Sequence, residues 1–122
     1  MIKKAQYTPQ NAQVVIVDPQ GKVEVPKWTR DAAFVSTDTC ILFGCRPDFE
    51  GNTMLTLGSM DEVDPGTPPA FKGKLKTPSG KIALETVDQK AVLEADVSGQ
   101  ETMVHIWANH PISPDDVIVG FE

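Results

Sequence analysis

An all-β domain, an antiparallel β-sandwich or small barrel of about eight short strands with at most one short helix, is the fold class this sequence predicts. Three observations predict it. Apolar and polar residues alternate with period two along most of 71–121. Ten prolines, most of them beside Gly, Asp or Ser, cut the chain into segments too short for helices of ordinary length. The segments between them are rich in β-branched residues, which suit a pleated surface. A chain of 122 residues reads as one domain, with 1–10 as a candidate flexible N-terminal segment.

The first strand spans 12–17. Asp18-Pro19-Gln20-Gly21 follows with Pro and Gly where a type I turn favours them, and 22–25 alternates as the return strand. Residues 29–35 read as a helical turn or irregular segment, because Thr29 can cap a turn that carries Asp31. The run 39–45 is apolar almost throughout, which marks a central strand. After the loop 46–52 comes a strand at 53–57. The stretch 58–70 holds Asp61, Glu62 and Asp64 among three prolines and reads as a long acidic loop without a regular element in most of it.

Phe71, Gly73 and Leu75 alternate with three lysines, Thr77-Pro78-Ser79-Gly80 turns the chain, and Ile82 and Leu84 alternate on the return, so 71–85 reads as a hairpin. Residues 88–97 consist largely of good helix formers, yet Ala91, Leu93, Ala95 and Val97 keep period two, which favours a strand over a helix. Ser98-Gly99-Gln100 reads as a hairpin turn into 102–108. There Thr102, Val104, Ile106 and Ala108 share one face, and Met103, His105 and Trp107 the other. The last strand is 117–121. Adjacent strands are expected to pair as a meander.

Net charge is −6 and the sequence pI about 4.8. A nucleic-acid binder needs a basic patch to meet phosphates, so this balance argues against nucleic acid and against an anionic membrane surface. No apolar run approaches the roughly 20 residues of a membrane-spanning helix. The basic start, Lys3-Lys4, lacks the apolar stretch of a signal peptide, which makes the cytoplasm the default location. Every Lys and Arg lies at or before Lys90, whereas Glu94, Asp96, Glu101, Asp115, Asp116 and Glu122 follow it. Such an arrangement suits a basic partner.

Cys40 and Cys45 flank a strand. Five extended residues span about 16 Å, whereas a disulfide needs Cα atoms about 5.5–6 Å apart, and an odd separation places the side chains on opposite faces. Two reduced thiols are expected. The spacings of Cys40, Cys45, His105 and His110 match no zinc site, so neither metal nor cofactor is expected. An enzyme reading would use His105 or His110 as base, with Cys40 as nucleophile and Asp115 or Asp116 orienting His110, but no nucleophile motif accompanies them. Asp61, Glu62 and Asp64 sit too close in sequence for carboxylates that face each other across a cleft. Trp107, if it shares an exposed face with Met103, is a candidate interface anchor.

From about residue 28 onward the chain resembles the competence protein J type of small bacterial nuclease inhibitor. The resemblance rests on Trp28 before a short Ala-rich segment, on the strands 39–45 and 54–57, and on Phe71-Lys72-Gly73-Lys74-Leu75. It continues through Gly80-Lys81-Ile82-Ala83-Leu84-Glu85, Leu93-Glu94-Ala95-Asp96, Gly99 and Asp116-Val117-Ile118-Val119. It departs after Gly99, where Glu101 and Thr102 stand in place of an aromatic. The resemblance implies a non-catalytic inhibitor that binds a nuclease.

The residues therefore lead to a small acidic binding domain, an inhibitor or immunity-type partner of a basic protein. Its candidate contacts are Asp61, Glu62, Asp64, Glu94, Asp96, Asp115, Asp116 and Trp107. The alternatives are a subunit that pairs strand edges into a homo-oligomer and an enzyme built on His105 or His110.

Overall fold

The computed structural model describes residues 2–8, 12–29, 32–111 and 114–122. Its strands are β1 (Lys3–Tyr7), β2 (Gln13–Val17), β3 (Phe34–Ser36), β4 (Cys40–Gly44), β5 (Thr53–Ser59), β6 (Phe71–Lys76), β7 (Lys81–Glu85), β8 (Ala91–Asp96), β9 (Glu101–Ala108) and β10 (Asp116–Phe121). One four-residue helix, α1 (Met60–Val63), follows β5. The strands form two five-stranded sheets: sheet A in the order β1-β5-β10-β9-β6, sheet B in the order β3-β4-β2-β7-β8. The all-β class agrees with the sequence, and α1 is the one α-helix among the described residues. The order is not a meander, and β5 and β10 pair in parallel.

The core fills the space between the sheets. Val14, Ile16, Ile41, Phe43, Ile82 and Leu84 from sheet B meet Leu55, Leu57, Leu75, Val104, Ile106, Val117 and Val119 from sheet A. These are the alternate positions of each strand, as a pleat buried on one face requires.

The expected hairpin at 71–85 is not one. β6 pairs with β9 in sheet A, whereas β7 pairs with β2 and β8 in sheet B. Likewise 98–100 carries the chain from sheet B to sheet A and is not a hairpin turn. The true hairpin is longer. It runs from 71 to 108 with its tip at 86–90, where the Thr86 N–H donates to the Lys90 carbonyl at 2.9 Å. Both of its arms break at the same level and fold over together. The Thr77 N–H donates to the Gln100 carbonyl at 2.7 Å and the Val97 N–H to the Gly80 carbonyl at 2.9 Å across that corner. The Thr77 hydroxyl, buried there, donates to the Gly99 carbonyl at 2.7 Å and lies 2.8 Å from Thr102 Oγ1. Alternation reports which face a residue occupies, not which strand lies beside it, so a corner and a hairpin turn look alike in sequence.

Residues 22–25 form no strand. Both edges of β2 are occupied, by β4 and by β7, so no ladder position remains for a return strand. The segment crosses the outer face of sheet B instead. It is tied to the β3–β4 turn by the Glu24 N–H donating to Thr39 Oγ1 at 2.8 Å and by the Thr37 hydroxyl donating to the Glu24 carbonyl. Within 29–35, Arg30 and Asp31 lie outside the described residues, and 34–36 enters β3. The candidate flexible segment 1–10 contains β1, paired along β5.

The acidic stretch 58–70 begins as the end of β5 and then forms α1. The Ser59 N–H and hydroxyl both donate to Glu62 Oε1, at 3.4 and 3.0 Å, the Ser-x-x-Glu arrangement that favours a helix start. α1 rests on two glycines. Gly58 and Gly120 are register partners in the β5–β10 pair. A Cβ on Gly58 would lie 2.7 Å from Val63 Cγ1, and one on Gly120 would lie 2.8 Å from Met60 Sδ and 3.0 Å from Val63 Cγ2. Bare backbone is what lets one turn of helix seat this close.

The sandwich closes at both sides. β8 packs along β1, where Lys3 Nζ donates to the Glu94 carbonyl at 2.5 Å. On the opposite side Phe34 of β3 stacks on Phe71 of β6, with ring centroids 5.3 Å apart and an 18° interplanar angle.

Candidate protein-binding site

The acidic residues singled out in the sequence divide into three groups. Asp61 and Glu62 on α1, and Asp64 just after it, are exposed at the Ser59–Phe121 end of the β5–β10 pair. Asp115 and Asp116 lie at the other end, where Asp116 pairs with Met54. Glu94 and Asp96 are exposed on β8, opposite Ala83 and Lys81. Asp115 is already committed inside the molecule. Its carboxylate accepts a 2.6 Å hydrogen bond from Asn109 Nδ2 and pairs with Arg46 Nη1 at 3.2 Å, and both hold it below the usual carboxylate range. Asp64 accepts the Gly66 N–H at 2.8 Å, which fixes the turn after α1.

Trp107 is only 8 % exposed. Its ring lies over Gly120 beside α1, and its Nε1 donates to the Thr67 carbonyl at 2.9 Å. The 64–70 loop thus covers the anchor that the sequence offered to a partner. His105 stacks on Trp107 at a centroid distance of 6.0 Å and places Nε2 3.2 Å from Glu122 Oε1. His110 is exposed beyond β9, at the rim of an open hollow with Phe34 and Ala108.

The cysteines lie elsewhere. Cys45 is in the core between the sheets, and Cys40 packs with Val17, Val35 and Leu42 on the outer face of sheet B. Both are free and buried, on the opposite faces that their odd spacing implies. Among the described residues no three His, Cys, Asp or Glu side chains come together as a metal site, and the two thiols face opposite sides of sheet B. Burial pushes both thiols up to about 11, with the Glu85 carboxylate adding to the effect at Cys40. The thiolate is the nucleophile, so alkylation by iodoacetamide at pH 7.5 is expected to run at least about 100-fold slower than for an unhindered cysteine. Peptide mapping over time checks this. Rapid labelling of either thiol in the folded protein would contradict it.

The outer face of sheet B holds the concavity that the sequence did not announce. Val15, Val17 and Leu42 form its floor. Val23 and Val25 of the crossing segment wall it, and Asp18, Gln13, Glu85, Val87 and Gln89 complete its rim, enclosing about 430 Å³. Such a volume falls in the range of about 300–1,000 Å³ typical of ligand sites. Glu85 stands at the end of β7, half-buried, on the same face as Ala83. Burial, then the neighbouring Glu94 charge, raises its carboxyl above the usual range. It has no hydrogen-bond or ion-pair partner among the described residues. Asp18 nearby is the reverse case. Burial would raise its carboxyl, but hydrogen bonds from the Ser79 hydroxyl at 2.6 Å, the Ser79 N–H at 2.8 Å and the Gln20 N–H at 2.8 Å outweigh burial and hold it low.

One sequence signal does point to this face. The run Val14-Val15-Ile16-Val17 is apolar on both sides of its strand, and a strand exposed on one face would alternate. Glu85 itself carries no such signal, since a lone acid at a strand end is ordinary.

No protein-family model matches the chain, and no curated protein matches its sequence. Among solved structures it is similar to the crystal structure of ComJ from Bacillus subtilis, an inhibitor of the DNA degrading activity of NucA. The two agree with a TM-score of 0.70 at 16 % sequence identity, over 99 % of this chain and 97 % of that one. At that identity the likeness shows the fold, and it meets at the level of the fold the resemblance read from the sequence.

Proposed function

We propose that this protein works by binding another protein, as an inhibitor of a nuclease, and carries out no chemistry of its own. The carrying observation is the fold shared along nearly the whole of both chains with a nuclease inhibitor. Charge supports it. A nuclease must present basic groups to a phosphate backbone, and this chain carries a net charge of −6. In this reading Asp61, Glu62 and Asp64 around α1, with Glu94 and Asp96 on β8, steer the encounter. Asp116 contributes from the far end of sheet A. Charges of this kind raise the association rate and specificity more than the affinity.

The sheet edges weigh against the homo-oligomer alternative. β6 bears Lys72, Lys74 and Lys76 on its outward positions, and β3 is three residues long. Lysines and short edge strands discourage edge-to-edge pairing.

The test is inhibition of DNA degradation by a NucA-type bacterial nuclease, with association measured across ionic strength. Inhibition is expected, with an association rate that falls as salt rises. The double variant Asp61→Lys/Asp64→Lys should slow association roughly ten-fold with little change in dissociation. Absence of inhibition, together with no retention of a basic protein at low salt, would overturn the reading.

A further inference from the structure

We propose that the groove on the outer face of sheet B is the anchor pocket for one basic side chain of a protein partner, its aliphatic stem on Val15, Val17, Val25 and Leu42 and its cationic head on Glu85. The partner's identity rests on the inhibitor reading above. The groove's preference for a cation rests on its own geometry.

The odd element is Glu85. Asp18, Asp64 and Asp115 all have donors, whereas this half-buried carboxylate has none among the described residues. Among the described residues no Lys or Arg lines the groove, and Glu94 on the neighbouring strand adds a second negative charge to that face. A partly desolvated carboxylate without a counter-charge is unfavourable in the free protein. Apolar residues surround it on the same face, so an apolar side chain at this position would fold more comfortably. A bound cation removes the penalty, and the valine walls exclude water around the resulting pair. Arginine and lysine have the matching form, an apolar stem that lies along hydrophobic surface and a charged tip. The crossing segment makes the groove concave, because Val23 and Val25, 43 % and 65 % exposed, stand over sheet B without sealing it.

The experiment is an NMR titration of the isotope-labelled full chain with N-acetyl-arginine amide, and with neutral N-acetyl-norleucine amide as control. Saturable shifts are expected at Val15, Val17, Leu42 and Glu85, with a dissociation constant on the order of 1 mM. Norleucine amide should bind at least about five-fold more weakly, and Glu85→Gln should weaken arginine binding by about the same factor. Glu85→Gln should melt at or above the wild-type temperature, which separates lost binding from lost fold. Shifts that do not saturate, equal binding of the neutral control, or an unaffected Glu85→Gln would overturn the proposal. The same variant goes into the nuclease assay. Full inhibition by Glu85→Gln removes the groove as anchor and leaves the inhibitor reading standing. Arginine binding without nuclease inhibition leaves the groove's preference and removes the nuclease.

Discussion

Asp18→Ala is expected to lower stability by about 2–4 kcal/mol, on the scale of losing several hydrogen bonds to a charged acceptor. The residue is 3 % exposed, and its carboxylate holds two turns at once. The Gln20 N–H belongs to the turn that starts the crossing segment, and the Ser79 N–H and hydroxyl belong to the corner where the long hairpin folds from sheet A to sheet B. Gly21 completes the fit, since a Cβ there would lie 3.3 Å from Asp18 Cβ. Removing the carboxylate leaves these donors unmatched and loosens the groove wall together with the corner. Ser79→Ala removes one of the three bonds and should cost less. The two substitutions combined should fall short of their sum by at least about 0.5 kcal/mol. Urea melts of the four proteins decide it, and strict additivity would show that Asp18 acts through something other than Ser79. The acid limb follows from the same bonds. Asp18 titrates below its unfolded value of about 3.8 when folded, so its contribution is complete above that pH and is lost as pH falls through the folded value. Asp18→Asn should therefore flatten the stability profile below about pH 4.

Gly58→Ala is the second large effect, at about 1–3 kcal/mol, the usual cost of forcing a methyl into a filled site. The added Cβ meets Val63 Cγ1 at 2.7 Å, and a β-branched side chain has few rotamers with which to give way. At Gly120 the nearest atom is Met60 Sδ, the end of a flexible chain, so Gly120→Ala should cost less than Gly58→Ala. Val63→Ala opens space and should recover part of the loss in the double variant Gly58→Ala/Val63→Ala. Lifting α1 also strips cover from Trp107, so Gly58→Ala should red-shift the tryptophan emission. A double variant no better than Gly58→Ala alone would mean that α1 is not held by this contact.

Faces were legible in the sequence, and neighbours were not. β6, β7, β8, β9 and β10 appear where period two places them, and 88–97 resolves to a strand because Leu93 and Ala95 do reach the core. The sheet to which each strand belongs is a long-range property that local alternation does not encode, so a corner at 77–80 looked like a hairpin. The alternation of 22–25 was real but had another cause. Val23 and Val25 face the outer side of sheet B, so their apolar side meets a sheet face instead of a sheet edge. β1 was silent because Lys3-Lys4-Ala5-Gln6-Tyr7 buries only Tyr7 fully. The acids of 58–70 and those after Lys90 are the functional signal in the sequence. The structure separates them, and gives more chemical weight to Glu85, a single carboxylate distinguished by what surrounds it.

The bent hairpin also bears on how the chain finds this fold. The two arms of 71–108 pair with each other across their own tip at 86–90, so for this ribbon the loop-closure entropy is met once, for a short loop. Each further pair then adds contacts without closing a longer loop, through the corner and into the second sheet. The parallel β5–β10 pair must instead close almost all the chain between them. This ribbon is therefore the segment able to zip up locally, and in doing so it lays down a strand pair in each sheet on which the remaining strands assemble.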